Sequence, residues 1–97
     1  MVKFTWDSQK EATNIAKHAV SFSEAQHAFA DSNSVVAFDG VDGAGTRHEL
    51  RWWLIGKVGA RILTVRYTHR PGGVIRIIGA GFGREGRIIY EKKHRQI

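Results

Sequence analysis

The sequence predicts an α+β domain, a single unit over residues 1–97, with two N-terminal helices packed on one face of a mainly antiparallel twisted sheet and a C-terminal helix. Two observations carry this. Helical periodicity is confined to the start and the end of the chain, whereas the middle alternates with period two and is broken by short glycine-rich turns. The strands also follow one another at hairpin spacing, with no crossover helix between them, and this favours antiparallel pairing. The expected order is β-α-α-β-β-β-β-α.

Residues 2–6 alternate and read as a short edge strand. Asp7 is then a suitable N-cap, because its carboxylate accepts from free N–H groups of a first turn. Ala12, Ile15, Ala16 and Ala19 fall at i, i+3, i+4 and i+7, giving an apolar helical stripe and a first helix over about residues 8–18. Lys17 and His18 suit the negative end of its dipole. Ser21-Phe22-Ser23-Glu24 has the form of a capping box, with Val20 and Ala25 placed as a hydrophobic staple. Phe22, Ala25, Ala28 and Phe29 form the buried face of this second helix, which ends near residues 31–33.

Residues 34–38 read as a strand, and the glycine-rich residues 39–47 as a mobile loop. A meander follows, with strands over about 49–55, 61–69 and 74–79, broken at residues 56–59 and 71–73. After Gly83 the pairs Arg87/Glu91 and Glu91/Arg95 support a last helix with a basic, frayed end.

Side chains of a strand alternate between faces. Leu50, Trp52 and Leu54, then Leu63, Val65 and Tyr67, then Ile75 and Ile77 form an apolar face. Arg51, Trp53, Arg66, Arg70 and Arg76 fall on the other. Four arginines exceed what solubility asks of a sheet face, and they suit a polyanion. The plainer alternative is a solvated face with scattered cations. A net charge of +6 points the same way, to a nucleic acid or an acidic protein.

The absence of cysteine excludes disulfides and cysteine-based zinc sites, and suits a reducing cytoplasm. No apolar run of signal-peptide or membrane-spanning length is present, so neither a leader nor a membrane partner is expected. Gly81-Phe82-Gly83-Arg84-Glu85-Gly86 matches a dinucleotide fingerprint literally, but eleven further residues cannot complete a βαβ unit. The motif reads as a strand-to-helix corner, whose bare N–H groups suit a phosphate contact. The five histidines show no metal-ligand spacing, so no metal or other cofactor is expected. His69 ends a strand beside Arg70 and is a candidate acid or base, although its parity places it on the apolar side. Trp53 is a candidate for stacking on a base, or else for burial against a loop or the last helix.

Phe4-Thr5-Trp6-Asp7, then Lys10, Asn14, Lys17-His18, Val20-Ser21-Phe22, Glu24-Ala25 and Phe29 resemble the opening of BrnT-type toxins of bacterial toxin–antitoxin modules. So do Arg51-Trp52-Trp53-Leu54-Ile55-Gly56, Tyr67-Thr68-His69-Arg70 and Arg76-Ile77-Ile78. The resemblance implies a compact RelE-like ribonuclease fold that binds RNA on the sheet face away from the helices. It implies metal-independent cleavage by 2′-hydroxyl attack, which inhibits translation and growth. Arg51, Arg70 and Arg76 carry over as the residues that bind phosphate and stabilise charge, with His69 as acid or base. Strand parity adds Arg66, and Trp53, Arg84 and Arg87 are further RNA contacts. The implied partner is a BrnA-like ribbon-helix-helix antitoxin, through which operator DNA is met indirectly. The chain departs from the family where Ser-Ala-Arg usually follows: here stand Gly79-Ala80-Gly81. A cation is therefore missing at position 81, for which Arg84 or Arg87 is a substitute. The departure keeps a second reading open, a non-catalytic module of the same fold that binds RNA or an acidic antitoxin.

Overall fold

A computed structural model describes residues 2–42 and 48–95. The elements are β1 (Lys3–Thr5), α1 (Ser8–His18), α2 (Phe22–Ala25) running into a 3-10 helix (Gln26–Ala30), β2 (Val35–Asp42), β3 (Glu49–Val58), β4 (Arg61–Arg70), β5 (Val74–Gly81) and α3 (Arg84–Arg95). The strands form one sheet in the order β1-β5-β4-β3-β2. β2, β3, β4 and β5 pair antiparallel, but β1 pairs parallel to β5, so the sheet is mixed. No helix among the described residues is long and apolar enough to cross a membrane.

Local chemistry sets the helix starts. The Asp7 carboxylate accepts from the N–H of Gln9 at 2.8 Å and of Lys10 at 3.1 Å. These bonds favour its charged form and hold its carboxyl below the usual value. Ser21 accepts from the N–H of Glu24 at 3.0 Å, as its capping role predicts. The remaining amides of α2 are served from α1: Glu11 accepts from Phe22 N–H at 2.8 Å and Ser23 N–H at 3.1 Å. Ala19 turns the chain between the helices in the left-handed region, at φ 58°.

Val20, Phe22, Ala25 and Ala28 are buried against Leu54, Leu63, Val65, Tyr67, Ile77 and Ala80. This is the apolar face read from strand parity, covered mainly by α2 and the 3-10 helix. Contact there is close: a Cβ on Gly56 would stand 2.5 Å from the carbonyl oxygen of Ala28. The cover stops short of β2, where Val36, Phe38 and Val41 remain exposed together with Leu50 of β3.

Several expectations require correction. The apolar stripe of α1 does not face the sheet. Ala12, Ile15, Ala16 and Ala19 are exposed, and the residues turned inward are Glu11 and Asn14. Polar groups win because α1 meets the sheet at an open backbone edge, which asks for hydrogen bonds rather than apolar area. Asn14 supplies them: its Nδ2 donates to Val20 O and Ala80 O, each at 2.8 Å, and its Oδ1 accepts from Ala80 N–H at 3.2 Å.

Alternation in β5 breaks after Ile77. Tyr67 faces Ile77 but Arg66 faces Gly79, so Ile78 occupies a bulge and Ala80, not Gly79, takes the next inward-facing place. β2 continues through Asp42, across part of the predicted loop; residues 43–47 lie outside the described residues. β3, β4 and β5 all run beyond their predicted ends. The basic end remains helical to Arg95.

α3 lies on the arginine side of the sheet, so that face is only partly open. Gly86 sits against Thr64 and Ile55, and a Cβ there would overlap the Thr64 hydroxyl. The corner glycine is thus needed for helix-on-sheet packing. The far end of α3 is anchored by Tyr90, whose hydroxyl donates to Asp31 at 2.7 Å. Asp31 also accepts from the N–H of Lys57 at 2.8 Å and of Asn33 at 2.9 Å. Burial pushes the Asp31 carboxyl up, but the bonds from Tyr90, Lys57 and Asn33 outweigh it and hold it below 3.8. Burial first, then the bond to Asp31, push the Tyr90 hydroxyl up to about 12.

A pH dependence follows. With the folded value of Asp31 below its ordinary 3.8, its stabilising contribution is fully present above pH 3.8 and is lost as the pH falls through the lowered folded value. Asp31→Asn should therefore be less stable than the parent at about pH 7, with a smaller gap at about pH 3. Urea midpoints at the two pH values measure this, and an equal gap at both would contradict it.

Candidate nucleic-acid interface

Register fixes which side chains share the arginine face. Arg66 lies opposite Trp53, and Arg76 lies opposite Thr68. Alternation then adds Arg70 from β4 and Arg51 from β3. Arg51, Trp53, Arg66, Arg70 and Arg76 are therefore brought to one side, as strand parity predicts, with Trp53 at the border where Glu85 and Ile89 of α3 meet the sheet.

Most of these cations are held by carboxylates. Glu49 takes Arg51 at 3.1 Å and Arg70 at 2.8 Å. Asp39 takes Arg66 Nε at 2.9 Å and, with its other oxygen, the Trp53 indole N–H at 2.6 Å. The Arg66 guanidinium stands 5.7 Å from the Trp53 ring centroid, in cation–π range. Arg76 makes no carboxylate ion pair among the described residues; its charge is one of the lesser influences that keep Asp7 ionised. The face is thus a set of oriented guanidinium groups, partly neutralised, with Arg76 the least encumbered.

The remaining predicted residues lie elsewhere. His69 is exposed on the opposite side of the sheet, edge-on to Tyr67 at 5.5 Å, so the structure does not bring it to the arginines. Arg84 and Arg87 line a separate hollow beyond Phe82, with Arg61. Arg87 is 3.6 Å from Glu91, and the Arg61 guanidinium lies 5.2 Å from the Phe82 ring centroid. Neither Arg84 nor Arg87 lines the cleft that holds Gly81.

A cleft of about 340 Å³ lies between the end of α1 and the start of α3. Gly79 and Gly81 form its floor, with His18, Trp53, Thr64 and Arg66 among its walls. It continues into a groove along α1 lined by Asp7, Lys10, Lys17, His18 and Arg66. Sequence reasoning missed His18, Lys10, Lys17 and Asp39 as site residues. A signal existed for the two lysines: Lys10, Thr13, Asn14 and Lys17 share the same i, i+3, i+4, i+7 spacing as the alanine stripe. No group of three or more His, Asp or Glu side chains among the described residues is arranged to hold a metal ion.

Glu49 competes with any phosphate for Arg51 and Arg70. Glu49→Gln should therefore bind a single-stranded polyanion several-fold more tightly. Its affinity should also fall more steeply with salt, by about 0.7 in log–log slope for each added phosphate contact. Fluorescence anisotropy titrations across a salt series measure both, and unchanged affinity and slope would contradict the competition.

Comparison with known proteins bears on the chain's family and fold. The family model described as "Ribonuclease toxin, BrnT, of type II toxin-antitoxin system" matches residues 6–84. Among solved structures, the 1.1 Å crystal structure of the Brucella abortus ribonuclease toxin BrnT superposes with a TM-score of 0.60 at 21% identity, over 86% of this chain and 97% of that one. No curated protein sequence matches.

Proposed function

The chain belongs to the BrnT family of ribonuclease toxins of type II toxin–antitoxin systems, and from that premise we propose that it is itself an active, metal-independent endoribonuclease of RelE-like kind that cuts cytoplasmic RNA and arrests translation and growth. The observation that carries this reading is the convergence of Arg51, Arg66, Arg70 and Arg76 with Trp53 on one face of the sheet.

RNA supplies its own nucleophile. The 2′-hydroxyl attacks the adjacent phosphorus, the P–O5′ bond breaks, and the products carry a 2′,3′-cyclic phosphate and a 5′-hydroxyl. The protein's part is to hold the phosphate and offset the charge that grows on its oxygens. Arg76, unpaired among the described residues, and Arg70, released from Glu49 by a competing phosphate, suit this role. Arg51 supports both, since it shares Glu49 with Arg70. Trp53 offers a ring for stacking, and Arg66 stands over it. His69, across the sheet, takes no part in this arrangement. The partner in this reading is a BrnA-like ribbon-helix-helix antitoxin, through which the pair reaches operator DNA.

One observation favours a second reading. Carboxylates already occupy three of the four arginines, and no cation stands at Gly81, as suits a module that binds RNA or an acidic antitoxin without cutting. Mapping the ends of RNA incubated with antitoxin-free protein separates the two readings.

Arg70→Ala and Arg76→Ala should each abolish growth inhibition in cells while leaving the circular dichroism spectrum and thermal midpoint close to the parent's. Undiminished toxicity in both variants would sink the assignment of these residues.

A further inference from the structure

We propose that the glycine-floored cleft between α1 and α3 receives the scissile nucleotide of a single-stranded RNA, and that His18 accepts the proton of its 2′-hydroxyl. The inference rests on the ribonuclease reading above and names the group that the arginines cannot provide, since a guanidinium that stays protonated is no base.

Position singles out His18. His69 lies on the other side of the sheet, His27 is exposed on the 3-10 helix, His48 is exposed ahead of β3, and the ring of His94 stands 4.4 Å from Tyr90. Among the described residues, His18 shares a cavity with Arg66 and Trp53. Its place is fixed by Asn14, whose three hydrogen bonds tie the last turns of α1 to the edge of β5.

The bare floor gives access to the ring. A Cβ on Gly81 would stand 3.6 Å from His18 Cγ and 3.7 Å from Nδ1, so a long side chain there would lie across the imidazole. At Gly79 a Cβ would approach both Arg66 and the Asn14 side chain at 4.0 Å. Where the family usually places Ser-Ala-Arg, this chain leaves flat backbone between an imidazole on one wall and a guanidinium and an indole on the other. At about 340 Å³ the cleft is at the small end of ligand sites, which run from about 300 to 1,000 Å³. A flanking phosphate meets Arg66, a base meets Trp53 or Phe82, and the ribose edge meets His18. In the step itself the 2′-O–H bond breaks and its proton passes to the imidazole. The 2′-O–P bond forms, the P–O5′ bond breaks, and water protonates the departing 5′-oxygen. The charged groups around the ring are Lys17 and Lys10 from its own helix, with Asp7 at that helix's start, and Arg66 from β4, behind which stands Asp39 of β2.

The test is single-turnover cleavage of a fluorescent single-stranded RNA by the full chain, across a pH series, with affinity measured separately by anisotropy. His18→Gln should lose about 10²- to 10⁴-fold in rate, the range of a lost acid–base group, and should bind RNA within about twofold of the parent. His18→Ala should regain part of its rate on addition of imidazole, which a merely structural role would not allow. Gly81→Leu leaves His18 in place and should fold normally, because a Cβ there meets the ring only at ordinary contact distance. It should block cleavage by filling the cleft. Parent protein that cuts RNA, with His18→Gln and Gly81→Leu both within about threefold of it, overturns this inference and leaves the ribonuclease reading standing. Parent protein that leaves RNA uncut overturns both.

Discussion

The carboxamide of Asn14 joins the two parts of the molecule. It is 8% exposed and spans from Val20 O, where the chain leaves α1, to both backbone groups of Ala80. β1 pairs with β5 only as far as Arg76, so the edge beyond it has no strand to satisfy it. A side chain that both donates and accepts can stand in for a neighbouring strand at that point, and asparagine is the short side chain that does so. A buried amide without partners costs about 1–3 kcal/mol, so this fit constrains how α1 can lie. From it follow the exposure of the alanine stripe, the seat of Val20 in the core, and the placement of His18 and Lys17 beside the arginine face.

The arginine face shows a second constraint, between charge and order. Exposed arginines are mobile and their surface ion pairs add little stability. Here each carboxylate serves two groups at once: Glu49 takes two arginines, and Asp39 takes an arginine and an indole. Such sharing orients the guanidinium groups in advance of a ligand, at the cost of competition when a phosphate arrives. α3 then limits the open area from one side, with Gly86 letting it settle on Thr64 and Tyr90 fastening its other end to Asp31.

Much of this was legible in the residues, and the failures share a physical cause. Asp7 and Ser21 act through bonds to amides two or three positions away, so local spacing was enough to find both caps. Parity sorted β3 and β4 correctly because their pairing is regular from Trp52 to Val58. It failed in β5, where a bulge after Ile77 depends on a neighbouring strand and leaves no local mark. The strand boundary was missed in β2, where Asp39-Gly40 resembles a loop but Asp39 is tied to Trp53 and Arg66. The α1 stripe misled for a related reason: apolar periodicity finds the packing face only when the neighbour is apolar. His69 was singled out by its place next to Arg70, although adjacent strand residues point to opposite faces. His18 was overlooked because its neighbours in space are sixty residues and more away in sequence, at Gly79 and Gly81.

The central claim is that RNA lies on the arginine face and enters the cleft beside His18. The most direct measurement is a ¹H–¹⁵N titration of the full chain with an RNA whose 2′-hydroxyls are methylated, so that it binds without being cut. The account predicts that the Trp53 indole and His18 imidazole signals shift and saturate together, while those of Trp52 and His69 on the opposite side stay in place. Shifts centred on His69 and Trp52, with Trp53 and His18 unmoved, would contradict it.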